Sequence, residues 1–218
     1  MTTHPADRHL RYLTTPRAAA FAGVLFALLF GVALVIIRTS VPGSEHRLRI
    51  AVVLMPFAGI AFLWFIGVIR DGLGALEDKF FSTVFIGSGL LFLAMIFAST
   101  AVGAGLIAAR KHSGLGDART EVTEFGHALL VSLSDTYALR MAAVFMISLA
   151  TIWLRTRLMP IWLVIVTYVV ALCVLVGSDI TAWMTVAFPV WVLIVSLLLL
   201  ARAGVIDLPD EERSPDTI

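Results

Sequence analysis

Four residues that could do chemistry at a membrane or a ligand fall within seventeen positions of this chain: Glu124, His127, Asp135 and Arg140. Glu124 and His127 stand three apart, which places them on one face of a helix. There a carboxylate and an imidazole could begin a cation site. Two ligands are too few, because catalytic zinc generally takes three convergent protein ligands. The other histidines, His4, His9, His46 and His112, are scattered over tails and connections. Arg140 is the only formally charged residue within the otherwise apolar run 137–154. Lying three residues in, ~4.5 Å of helical rise, it can reach the headgroup layer by snorkelling. Its planar guanidinium also suits a lipid phosphate, or the carboxylates of Asp135 and Glu124. The four residues together are the candidate contact for lipid or a partner. Their ordinary reading is a solvated helix face and a membrane anchor. No catalytic, cofactor-binding or metal-binding residue is assigned. The phosphate-loop, dinucleotide, nucleophile-elbow and zinc-protease patterns are all absent.

The elements that must carry these residues are set by composition. Of 218 residues, 60% are hydrophobic and 14% charged, with a net charge of +1. A soluble domain has ~45–50% apolar and ~25% charged residues. Runs 18–37, 50–69, 80–109, 160–177 and 183–201 carry no charge, and run 137–154 carries only Arg140. These six runs cover 125 residues and hold one of the 31 formal charges. About 20 apolar residues suffice for one helical crossing. The runs are continuous and do not alternate, so helices are expected in place of an outer-membrane barrel. The fold predicted is all-α: a polytopic transmembrane helical bundle of about six spans, 18–201, between a polar N-terminal tail 1–17 and a polar C-terminal tail 202–218. The N-terminal run lacks a small-x-small cleavage pattern and is read as a retained span. Run 80–109 exceeds one crossing and should tilt or protrude.

Before the fourth span, residues 111–117 read as a glycine-bearing turn. Val122, Phe125, Leu129, Leu130 and Leu133 then recur at helical spacing, opposite Glu124, His127, Ser134 and Asp135. This predicts a short amphipathic helix on the membrane surface that runs into span four. With six spans, nine Lys and Arg residues fall on the side of the termini (Arg8, Arg11, Arg17, Arg70, Lys79, Arg155, Arg157, Arg202, Arg213) and six on the other (Arg38, Arg47, Arg49, Arg110, Lys111, Arg119). That bias places both termini in the cytoplasm, with Trp153 and Trp162 in the inner aromatic belt and Trp183 in the outer one. Glu77 and Asp78 complement the start of the third span.

Pro56 and Pro189 fall inside runs, where each removes a backbone hydrogen bond. Ala27 with Gly31, and Ala101, Gly105 and Ala109, are small-residue faces where helices could approach closely. Cys173, the only cysteine, excludes an intrachain disulfide and is expected to pack. The stretch AVFMISLATIWLRTRLMPIWLVIVTYVVAL, 143–172, joins two spans through a short Arg-containing turn closed by Pro160. In it the chain resembles multi-pass bacterial inner-membrane proteins, which implies that location and no activity.

Three function classes follow. The first is an accessory or assembly subunit that offers apolar faces to another membrane protein, to a second copy or to the lipid bilayer. The second is a small channel or uncharged-solute transporter, with Ser82, Thr83, Ser99, Thr100, Ser148, Thr151, Thr167 and Thr185 as wall residues. The third is a lipid-headgroup enzyme using Glu124, His127, Asp135 and Arg140. No nucleic-acid partner is expected, because a basic excess is absent. No cofactor is expected either, and no span carries a histidine that could ligate haem.

Overall fold

The computed structural model describes residues 5–39, 45–73, 79–109, 117–157, 159–177 and 184–202. Their regular structure is entirely helical: α1 (Pro5–Arg38), α2 (Glu45–Leu73), α3 (Lys79–Ala109), α4 (Asp117–Val131), a π-helical segment (Ser132–Ala138), α5 (Leu139–Thr156), α6 (Ile161–Gly177) and α7 (Met184–Arg202). Glu77, Asp78, the turn at 111–116, Trp183 and the tail from 203 lie outside the described residues.

Five helical stretches are long and apolar enough to cross a membrane: Ala20–Ile37, His46–Asp71, Phe80–Ala108, Glu121–Thr156 and Met184–Ala201. This is the architecture of an integral membrane protein. The sixth apolar run is α6, with 17 residues. At ~1.5 Å per residue it rises ~25 Å, less than the ~30 Å of a hydrocarbon core. Pro160 sets its start, its carbonyl accepting from the amides of Leu163 (3.0 Å) and Val164 (3.3 Å). Helix α1 reaches back to Pro5, well before the apolar run begins. Proline and polar residues are tolerated at a helix start that need not be buried.

The helices close into a ring in which α1 packs on α2 and α7, α3 joins α2 to α5, and α6 lies against α5 and α7. Aromatic side chains from five helices fill its centre. Phe62 of α2 lies 4.7 Å from Phe26 of α1, 5.4 Å from Phe92 of α3, 5.3 Å from Phe145 of α5 and 5.6 Å from Phe188 of α7, between ring centroids. Phe85 stacks on Phe145 at 4.6 Å, and Trp191 extends the cluster to Trp153 at 6.2 Å. Tilted and edge-on ring pairs at these separations are favourable beyond their buried area. Trp153 is therefore a core residue, buried to 3% exposure, and not part of an interfacial belt as expected. Its indole packs against Trp191 of α7. Trp162 is exposed.

Close helix contact occurs at glycines other than those in the anticipated small-residue stripes. A Cβ on Gly31 or Gly105 would meet nothing within 4 Å. On Gly89 it would lie 2.6 Å from Ile66, and on Gly23 it would collide with Ser196. Spacing alone identifies small faces, but which face turns inward depends on the aromatic cluster. Cys173 likewise lies on the exposed side of α6.

Candidate functional site

Helix α4, the π-helical segment and α5 run on without a break, so Glu124, His127, Asp135 and Arg140 all belong to one helical rod. The rod lies along α3 over its whole length. The seat of α4 is Gly126, which is buried and whose missing side chain admits Leu106 of α3. One turn on, Leu130 packs against Gly103. This face falls between the two stripes legible in the sequence. Val122, Phe125 and Leu129 are left exposed on one flank and Glu124 and His127 on the other. Phe125 is 70% exposed, beside the charged residues of the same helix.

The π-helical segment begins just after Leu130, which packs on α3. The Leu130 carbonyl accepts two hydroxyl hydrogen bonds, from Ser99 of α3 and from Ser134, both at 3.0 Å. Asp135 Oδ1 lies at the same 3.0 Å from the Ser134 hydroxyl and competes with the Leu130 carbonyl for its single proton. A π-helical turn bonds residue i to i+5, widening the helix by one residue per turn, and such turns recur at functional sites. Asp135 and Arg140, both half-buried, flank the end of this segment. His127 lies about two turns and Glu124 about three turns earlier, ~12 Å and ~16 Å of rise from Asp135. The four residues thus form two pairs along one rod: an exposed one on α4 and a half-buried one at the π-to-α junction. Among the described residues, no three His, Cys, Asp or Glu side chains come together as a metal site would require.

Of the hydroxyl groups offered as channel walls, those of Ser99, Thr100, Ser148, Thr151 and Thr167 have hydrogen-bond partners within or between the helices. Thr100, Ser148 and Thr151 each donate to the carbonyl four residues earlier, at 2.8 Å. Thr151 also bonds Tyr168 of α6 at 2.7 Å, and Trp191 Nε1 donates to Thr167 at 3.0 Å across α7 and α6. In an apolar medium such bonds satisfy groups that have no water to turn to.

A second feature was missed in the sequence. At the end of α1, the Arg47 guanidinium donates to Thr39 Oγ1 at 2.9 Å and to the Thr39 carbonyl at 3.4 Å. His46, Arg47 and Arg49 are all exposed here. Below them an open groove of about 380 Å³ runs between α1 and α2, lined by Leu25, Leu29, Leu54, Phe57, Ile60, Ala61 and Trp64. The signal available in advance was a basic triplet one turn before an apolar run, too common to single out. Compared with protein-family models, curated proteins and solved structures, the chain matches none.

Proposed function

We propose that this integral membrane protein is an accessory or assembly subunit that works through its outer surface by binding another membrane protein or a second copy of itself. The observation that supports this reading best is the aromatic cluster, in which Phe26, Phe62, Phe92, Phe145 and Phe188 fill the centre of the helix ring. A solute path through a single copy would have to pass through packed rings. A channel, the second reading, would have to form between copies. The contact surface is the rod of α4 and the π-helical segment. Phe125, Val122 and Leu129 supply its apolar part, and Glu124, His127, Asp135 and Arg140 its polar part. Apolar anchors beside charge are what a specific interface needs.

In this reading the rod of α4, the π-helical segment and α5 crosses as one unit, and α4 emerges along the end of α3 into the headgroup layer. All six apolar helices cross a bacterial inner membrane, and α6 is accommodated by local thinning or by its neighbours. Both termini are cytoplasmic, in line with the nine-to-six distribution of Lys and Arg.

The test is purification of the tagged full-length chain in mild detergent with its mass measured by native mass spectrometry. A stoichiometric membrane-protein complex or homo-oligomer that Phe125→Ser dissociates is expected. Migration as a solitary chain, or a complex indifferent to Phe125→Ser and Val122→Ser together, would overturn the proposal.

A further inference from the structure

We infer that the α1–α2 edge is a binding site for one anionic glycerophospholipid, with its phosphate against His46, Arg47 and Arg49 and one acyl chain in the groove below. The inference is independent of the partner surface on α4. It joins two features that helix geometry places in line. His46 and Trp64 are 18 residues apart, five turns at ~3.6 residues each, so they share one face of α2. Ile50, Phe57 and Ala61 fall close to the same line, and Phe57, Ala61 and Trp64 line the groove. Arg47 and Arg49 stand to either side of His46. The basic residues therefore bracket the upper end of the groove and do not point away from it.

Arg47 is held in place before any ligand arrives. Its bonds to Thr39 use two of the five N–H groups of a guanidinium and tie it to the last turn of α1. The fork geometry that remains suits a phosphate oxygen pair, which a lysine would contact only as a point charge. Arg49 adds a second permanent cation.

Length supports a lipid over a free anion. From Leu54 to Trp64 the α2 wall rises ~15 Å, the depth of one leaflet of a ~30 Å hydrocarbon core. On the facing side, Leu25 and Leu29 of α1 complete the trough. Trp64, 68% exposed, closes its lower end. The groove's first lining residue, Leu54, lies ~10 Å below Arg47, leaving room for the glycerol and ester region. An apolar trough of one-leaflet depth, topped by two arginines and a histidine, fits an acyl chain attached to an anionic headgroup. A zwitterionic lipid would fill the trough and offer a phosphate too, but its ammonium group brings a like charge beside the two arginines.

The experiment uses the full chain, delipidated in detergent. It is titrated with dioleoylphosphatidylglycerol, dioleoylphosphatidylcholine or glycerol 3-phosphate, and retained ligand is counted by native mass spectrometry. Retention of phosphatidylglycerol over phosphatidylcholine by about tenfold is expected, and Arg49→Gln with His46→Gln should cut that preference at least about fivefold. Those variants leave the Arg47–Thr39 contact in place, so they test the headgroup without loosening the α1–α2 turn. Ile60→Trp, at an exposed lining position, narrows the trough and leaves the charges and the buried core alone, and should lower retention of both lipids. Equal retention of the two lipids by the wild type would overturn the inference, as would a preference unchanged in Arg49→Gln/His46→Gln. Glycerol 3-phosphate displacing the lipid at equal concentration would also overturn it, by showing a headgroup site with no part for the groove.

Discussion

Gly23 of α1 and Ser196 of α7 meet so closely that a methyl group on the glycine would collide with the serine hydroxyl. The Ser196 Oγ is fully buried and has no hydrogen-bond partner among the described residues. Phe65 closes the remaining side, 2.8 Å from where a Gly23 Cβ would be. This contact seats the first helix on the last and so closes the ring of helices around the aromatic centre.

Gly23→Ala should therefore lower the thermal midpoint in detergent, as overpacking costs ~1–3 kcal/mol. Ser196→Ala should be neutral or stabilising, because it removes a buried polar group with no partner. The double variant should lose less than Gly23→Ala alone. Equal losses in the single and double variants would show that Phe65, and not Ser196, sets the limit.

Trp191 and Thr167 provide a second pair whose coupling can be measured. Thr167→Val leaves the buried indole N–H without its acceptor and should cost ~1–3 kcal/mol. Trp191→Phe in the same background should recover part of the loss, since no donor is then stranded. A double-mutant cycle on chemical unfolding in micelles checks this, with additive single effects as the contrary outcome.

Two phenylalanines one helical turn and a half apart on α2 should behave differently. Phe62 is fully buried among five other rings, whereas Phe57 is 58% exposed. Phe62→Ala is expected to cost ~3–5 kcal/mol by the cavity it leaves. Phe57→Ala should change stability by about 0.5 kcal/mol or less, being a surface position. Comparable losses would mean that the ring cluster is not the stabilising core.

Arg157 ends α5 with φ 53°, in the left-handed region. Holding a side chain there costs ~1–2 kcal/mol relative to glycine. Arg157→Gly should raise the thermal midpoint slightly. A clear fall would show that the Arg157 side chain contributes more than its backbone costs.

The proposed orientation has its own check. Reporter fusions active only in the cytoplasm should be active at both ends of the chain, and a reporter inserted between α1 and α2 should be silent. A silent C-terminal fusion beside an active N-terminal one would reduce the crossings to an odd number, with α6 the natural helix to drop out.

Much of the fold could be read from charge alone. Ala18 to Ile37 or Phe80 to Ala109 contain no residue that would make a buried or lipid-facing helix costly, and each is long enough to satisfy its own backbone. The helix ahead of the fourth span was also legible, because Val122, Phe125 and Leu129 repeat at its period. The candidate site was only half legible. Glu124 and His127 could be placed on one face, but the π-helical segment could not be foreseen. It arises where Ser99, on a different helix, hydrogen-bonds the Leu130 carbonyl.

What the sequence determined by itself is the medium and the secondary structure, since both follow from residues near one another along the chain: apolar runs without charge demand hydrocarbon, and hydrocarbon demands helices. Only the tertiary structure decided that Phe62 is core and Phe57 surface, that Gly126 and not Phe125 meets α3, and that Arg47 reaches Thr39 above an apolar groove. In a chain that is apolar on nearly every face, hydrophobicity no longer distinguishes inside from outside. That choice falls to shape, through the fit of rings, glycines and hydroxyls contributed by helices distant in sequence.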